Sequence, residues 1–325
     1  MKRFKQILCV VGNVKQDQLA LERAVSLAEN NNATLTVVTV TPPVTAEIEI
    51  MDGGLASTDL HEAIVSEKQH ELEKLVQHYQ EQLEIQTRVL VGISFLEIIR
   101  EVLRQGHDLV IKMPDVADWL DRLFGSDDMH LLRKCPCPVW LIKSQTTKPY
   151  RRILAAVDVK EEGRPEALQA KTALNRQILE MAFSLALSEF AELHIVHVWD
   201  VVGQNAMRGA FMRTSEKEII SHVEQVRKQH AAQFDLLIHA VTNSMGQDAV
   251  NYLKPQTHLV KGQARKEIPA LAKQISSDLL VMGTVARTGI PGFFMGNTAE
   301  TILNQIDCSV LAIKPPGFQT PVTIE

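Results

Sequence analysis

The chain has 325 residues, 45% of them hydrophobic and 22% charged, with a formal net charge of -5 and a pI near 6.1. Length and composition predict an ordinary globular protein of about two domains. The acidic balance argues against a nucleic-acid surface, because Lys and Arg cluster nowhere beyond Arg133-Lys134 and Arg151-Arg152.

In chain order, the first element is the apolar run Ile7-Leu8-Cys9-Val10-Val11, a strand near 6–12 that is too short for a signal-peptide core. Segment 21–40, LERAVSLAENNNATLTVVTV, reads as a helix running into a strand near 34–40. The run from Ser66 to Gln82 has a charged face but spans only two or three heptads, which suits a sheet-covering helix better than a coiled coil. Strands near 86–91, 109–113 and 138–142 follow, and a short polar linker, SQTTKPY, occupies 144–150. Beyond it, strands near 152–158, 192–199, 256–261, 279–283 and 309–313 alternate with helical patterns, among them Ser215 to Phe234. No stretch approaches the roughly 18 apolar residues of a membrane span, so no membrane partner is expected and the expected location is the cytoplasm.

The second set of elements copies the first. Segment 179–198, LEMAFSLALSEFAELHIVHV, aligns with 21–40 without a gap at an offset of 158. Identical pairs include Glu22/Glu180, Ala24/Ala182, Ser26/Ser184 and Leu35/Leu193. Val-Leu-Val-Gly92 recurs as Leu-Val-Lys-Gly262, and each half ends in a strand before a lysine, Lys143 or Lys314. The chain is a tandem duplication, with domains expected over 1–145 and 150–317 and a C-terminal tail over 318–325. Val-, Ile- and Leu-rich strands alternating with helices predict two doubly wound, Rossmann-like α/β domains. Each is expected to hold a five-stranded parallel sheet with helices on both faces.

Ligands of such sheets sit outside the carboxyl ends of the strands, at the switch point. There the second half places Asp158 and the loop Gly283-Thr284-Val285-Ala286, with Gly296-Asn297-Thr298 after a nine-residue spacer. Glycine at a strand end lets backbone approach a ligand, and small polar residues ahead of a helix leave N–H donors free for phosphate.

Together these residues resemble the universal stress protein family, and in particular its tandem, two-domain members of the UspE type, over nearly the whole chain. The most specific part runs from Val281-Met282-Gly283 through Ala286-Arg287-Thr288-Gly289 to Gly296 and closes on Cys308-Ser309-Val310-Leu311. Nucleotide-binding members of that family carry a glycine, two residues, a glycine, nine residues, then glycine and Ser or Thr. Here Ala286 stands at the second glycine and Asn297 at the Ser or Thr. The resemblance implies adenine contact at Asp158 and a hydrophobic pocket wall at Val198. The implied binding set is Val157, Asp158, Val198, Met282, Gly283, Ala286, Arg287, Gly296, Asn297 and Thr298. Its ligand would be ATP or a related nucleotide, with accompanying Mg as the sole metal. Asp158 has an equal reading as the cap of the turn that follows it. The family's dimer pairs the last strands of two chains, so the tandem form is expected to pair 139–142 with 310–313 as an internal pseudo-dimer. A homodimer is compatible with that arrangement.

The first half departs further from the pattern. Gly12 stands where the second half has Asp158, and Met113-Pro114 where it has Gly283. Only Gly125-Ser126 survives of the loop, among Asp115, Asp118, Asp121, Asp127 and Asp128. This half is expected to bind no nucleotide, and its aspartates to form a solvated loop. His194 and His197, three apart on a strand, point to opposite faces and cannot share a metal. Cys135-Pro136-Cys137 lacks the second pair of a zinc site and reads as structural.

No Walker A lysine pattern or nucleophile elbow appears. A binding protein is therefore expected rather than an enzyme; the resemblance implies a role in the stress response and allows slow ATP hydrolysis at most. A second ligand class stays open. The second half carries about twelve extra residues after Asp158 and about twelve more between Val198 and Gly262. With Met207, Phe211, Met212, Phe293, Phe294 and Met295, these suit a scaffold whose cavity takes an apolar or lipid-like ligand.

Overall fold

The computed structural model describes residues 4–12, 17–43, 57–115, 126–143, 149–160, 164–201, 215–284 and 295–324. The first half runs β1 (Gln6–Val10), α1 (Gln18–Asn31), β2 (Thr34–Thr41), α2 (Ser57–Val76), β3 (Ile85–Val91), α3 (Ser94–Gln105), β4 (Leu109–Lys112), α4 (Ser126–Lys134) and β5 (Val139–Leu141). The second runs β6 (Arg152–Val157), α5 (Pro165–Glu189), β7 (Glu192–Trp199), α6 (Glu216–Met245), α7 (Gln247–Leu253), β8 (Gln256–Lys261), α8 (Ala264–Gln274), β9 (Leu279–Gly283), α9 (Asn297–Leu303) and β10 (Ser309–Ile313). Each strand lies within two residues of its expected ends.

These strands form one sheet in the order β3-β2-β1-β4-β5-β10-β9-β6-β7-β8. Neighbours are parallel within each half, and β5 meets β10 antiparallel, with Val310 opposite Leu141, Leu311 opposite Trp140 and Ala312 opposite Val139. The expected pairing of the last strands is present, and it removes two edges that would otherwise expose unpaired backbone. Because the halves run in opposite directions, their strand ends face opposite rims of the sheet.

Alternation along each strand divides the core. In β1, Ile7 and Cys9 join a layer with α1, α2, α5 and α6, whereas Leu8 and Val10 join a layer with α3, α4, α8 and α9. Both layers continue across the seam, since Trp140 and Tyr150 belong to the first and Leu141 and Val310 to the second. Helix α3 shows why its sequence packs: Phe95, Ile98, Ile99 and Val102 fall on one stripe, and the helix stops at Gly106 with a left-handed φ of 69°.

The duplication is visible in backbone detail. Gly92 and Gly262, at the ends of β3 and β8, have φ of 144° and 149°. An added Cβ would strike Glu97 at 2.8 Å or Glu267 at 2.6 Å. Helices α1 and α5 both close on a left-handed residue, Asn32 at 50° and Phe190 at 57°. The tail returns to the first half, where Arg100 Nε donates to the Thr323 carbonyl at 3.2 Å and Arg104 to the Ile324 carbonyl at 3.3 Å.

Candidate functional site

Strands β7, β6 and β9 are consecutive in the sheet, so Val198, Asp158 and Gly283 stand at three neighbouring strand ends. Val157 is buried in the layer beneath α5, while Met282 is buried and Val198 half-buried in the opposite layer. The Gly296 N–H donates to the Thr284 carbonyl at 3.2 Å, which brings the two ends of the glycine loop together. Asn297 and Thr298 are exposed in the first turn of α9, and Gly296 has an extended φ of -62°. Ala286 and Arg287 lie outside the described residues, as do Met207, Phe211, Met212, Phe293 and Phe294. Met295 is buried in the layer with Ile302 and Met282 and acts as core.

The extra residues after Asp158 account for a feature that composition alone did not reveal. At the repeat offset, Gln18 of α1 corresponds to Arg176, yet α5 begins at Pro165, with proline at its first position as helix starts favour. This added length lies across the strand ends. Leu174 fills the space above Gly283, where a Cβ would come within 2.7 Å of its Cδ2. Asn175 brackets the Asp158 backbone, accepting from its N–H at 3.1 Å and donating to its carbonyl at 2.7 Å. Lys171 pairs with the Asp158 carboxylate at 2.9 Å, and the other carboxylate oxygen accepts from the Lys160 N–H at 3.0 Å. The capping role of Asp158 is therefore present in this structure.

A cation absent from the expected set sits at the base of the loop. Lys314, just past β10, is buried; its Nζ donates to Thr284 Oγ1 at 2.7 Å, to the Arg133 carbonyl at 3.3 Å and to the Leu132 carbonyl. Burial pushes its ammonium down to about 7. The two carbonyls belong to the last turn of α4, so one lysine joins the second half's loop to a helix end in the first half.

In the first half, Lys112 holds the position of Met282, and its Nζ reaches Asp128 at 2.9 Å, Asp115 at 2.6 Å and the Met113 carbonyl at 3.1 Å. The solvated acidic loop expected there needs correction for Asp128, which is fully buried and paired. Asp118 and Asp121 lie outside the described residues.

The sequence profile of the universal stress protein family matches residues 3–143 and 149–314. The chain belongs to the universal stress protein family. Universal stress protein E of Escherichia coli K12 is 31% identical over 330 residues, which cover all of this chain and 98% of that protein. The homolog in Haemophilus influenzae is 28% identical over 321 residues, covering 96% of this chain and 98% of its own. A putative universal stress protein of Pseudomonas aeruginosa shares the fold, with a TM-score of 0.68 at 24% identity over 97% of this chain and 94% of its own. The expected tandem, UspE-like organisation is thus met.

Within this universal stress protein, the two strand histidines part as their spacing requires. His194 Nδ1 lies 3.0 Å from His258 Nε2, and on the other face His197 Nε2 lies 2.9 Å from His230 Nδ1. Among the described residues, no group of three potential ligands is placed to hold a metal. Burial holds His194, His197 and His258 below the ordinary histidine range. The folded values lie below the unfolded ones, so as pH falls through about 6.5 the unfolded chain takes up protons that the folded chain refuses. Thermal melts should show Tm falling between about pH 7.5 and 5.5, by roughly 1–2 °C for each kcal/mol lost. Replacing His194 and His258 together by Leu should flatten part of that slope; an unchanged slope would place the acid sensitivity elsewhere.

Proposed function

We propose that this protein is a cytoplasmic, ligand-sensing member of the stress response, and that its second half binds an adenine nucleotide at the ends of β6, β7 and β9. The observation that carries this reading is the placement of Asp158, Val198 and Gly283 on three adjacent strands, beside the exposed start of α9. Asn297 and Thr298 would face the phosphates there, and Val198 the base. Binding rather than turnover is proposed, since the loop has no Walker A lysine pattern. The first half acts as a nucleotide-free partner, because the ion triad of Lys112, Asp115 and Asp128 supplies its own charges where a phosphate would sit.

Leu174 and Lys171 make binding conditional. Lys171 covers the adenine end at Asp158 and Leu174 covers the loop at Gly283, so the binding-competent form requires the first turns of α5 to move away. Mass spectrometry of the denatured, purified protein should find an adenine nucleotide; an acyl compound would instead replace this reading with the apolar-ligand one. Asp158→Ala and Gly296→Val should abolish ATP binding, and retained binding in both would move the ligand elsewhere. Leu174→Ala should tighten ATP binding by about threefold to tenfold in calorimetric titration, as removal of a conformational cost does. Weaker binding in that variant would show that α5 is not a cover.

A further inference from the structure

The duplication leaves one chemical feature without a partner copy. Cys137 corresponds to Cys308, but the position two residues earlier is Cys135 in the first half and Ile306 in the second. The pair closes the gap between the last turn of α4 and the start of β5, the strand at the seam. Their sulfurs lie 3.6 Å apart, in direct contact, and both are buried.

The surroundings bear on reactivity. Burial alone would raise the Cys135 thiol, but the Cys137 hydrogen bond and the Lys314 ammonium outweigh it and leave Cys135 below the ordinary range. Cys137 is driven well up, chiefly by its bond to Cys135. Cys308 is pushed up to about 12 and Cys9 higher still, both chiefly by burial, so neither is an attacking thiolate. Lys314 also lines a cleft of about 360 Å³ between the halves, together with Pro136, Pro138 and Phe318. Pro136, between the two cysteines, lines that cleft while both sulfurs lie behind it, so oxidant entry requires the segment to open locally.

We propose that Cys135 and Cys137 are an oxidisable dithiol that hydrogen peroxide converts to a reversible disulfide. The Cys135 thiolate gives an electron pair to one peroxide oxygen, the O–O bond breaks, hydroxide leaves and Cys135 becomes a sulfenic acid. The Cys137 sulfur then attacks Cys135, releasing its proton and the sulfenic oxygen as water. One peroxide is reduced to two waters for each disulfide made. A bridge across a single intervening residue is strained, and strained disulfides are the readily reduced ones. Lys314 is a positioning residue in this chemistry: in its protonated form its charge acts on both sulfurs.

Trypsin after Lys134 and Lys143 releases residues 135–143, which carry both cysteines. Folded protein treated with peroxide and then N-ethylmaleimide should give this peptide lighter by two hydrogens and unalkylated. Dithiothreitol should restore alkylation, while Cys9 and Cys308 remain thiols throughout. Cys137→Ser should stop at the sulfenic acid, trapped by dimedone on Cys135. Lys314→Met should slow oxidation severalfold below about pH 7, where the lysine is protonated, and move its pH profile upward, which lost packing alone would not do. Unmodified thiols in peroxide-treated folded protein would overturn the proposal. So would a sulfinic acid at Cys135 beside an alkylatable Cys137, or a bridge to Cys9 or Cys308.

Discussion

Lys112→Met is expected to destabilise the protein by about 3–5 kcal/mol, the usual consequence of removing one member of a buried ion pair. The lysine side chain is 6% exposed and Asp128 is 0% exposed, so water cannot replace the lost partner. Burial already pushes the Asp128 carboxyl up against the pull of Lys112, with Asp115 adding to the push. Without the lysine, Asp128 takes up a proton at higher pH than its unfolded counterpart does. The folded variant then binds a proton that the unfolded chain lacks, so its deficit against the parent should narrow as pH falls from neutrality toward about 4. Urea denaturation across that range measures this directly. Lys112→Met with Asp128→Leu should recover most of the loss, because both desolvated charges are gone and Asp115 is half-exposed to water. A single-variant cost under about 1 kcal/mol would mean the pair is solvated in solution.

The same triad shows what the sequence could and could not disclose. Strands were legible because Ile7-Leu8-Cys9-Val10-Val11 and its counterparts are continuous apolar runs, and the repeat gave each of them a second reading. The pairing of β5 with β10 followed from the family's dimer habit carried into one chain. The candidate site rests on the spacing of Gly283 and Gly296 and on the family resemblance for Asp158, which draw on positions local in the chain. What covers the site was not legible. The extra length after Asp158 was visible, but its folding into the start of α5, with Leu174 over Gly283 and Lys171 on Asp158, depends on contacts across the strand ends. Lys314 likewise meets Thr284 and the carbonyls of α4 from distant parts of the chain, and no local pattern encodes that meeting. Lys112 did carry a signal. A lysine ending the buried run Leu-Val-Ile-Lys demands an anion, and the crowd of aspartates after it contained one.

Arg23→Met should cost about 3 kcal/mol, because Arg23 ties the two halves together on the opposite side of the sheet from α4. It projects from α1 and pairs with Glu189, in the last turn of α5, at 2.9 Å, with side-chain exposures of 4% and 19%. Its guanidinium lies 3.5 Å from the centroid of the Tyr150 ring and 5.9 Å from Trp140. Glu189 also accepts from the Tyr150 N–H at 2.9 Å, so the cation, the ring and the carboxylate fix one another where the linker enters β6. Methionine keeps much of the apolar volume, so packing changes little. It removes a desolvated cation–π contact of about 2 kcal/mol and strands a mostly buried carboxylate. Arg23→Lys separates the two contributions: it restores charge toward Glu189 but lacks the flat face that stacks on Tyr150, and should recover about half of the loss. Denaturant melts followed by tryptophan fluorescence, to which Trp140 at the seam contributes, report both variants. Equal stability of Arg23→Lys and the parent would assign the whole effect to charge. Equal stability of Arg23→Lys and Arg23→Met would assign it to stacking.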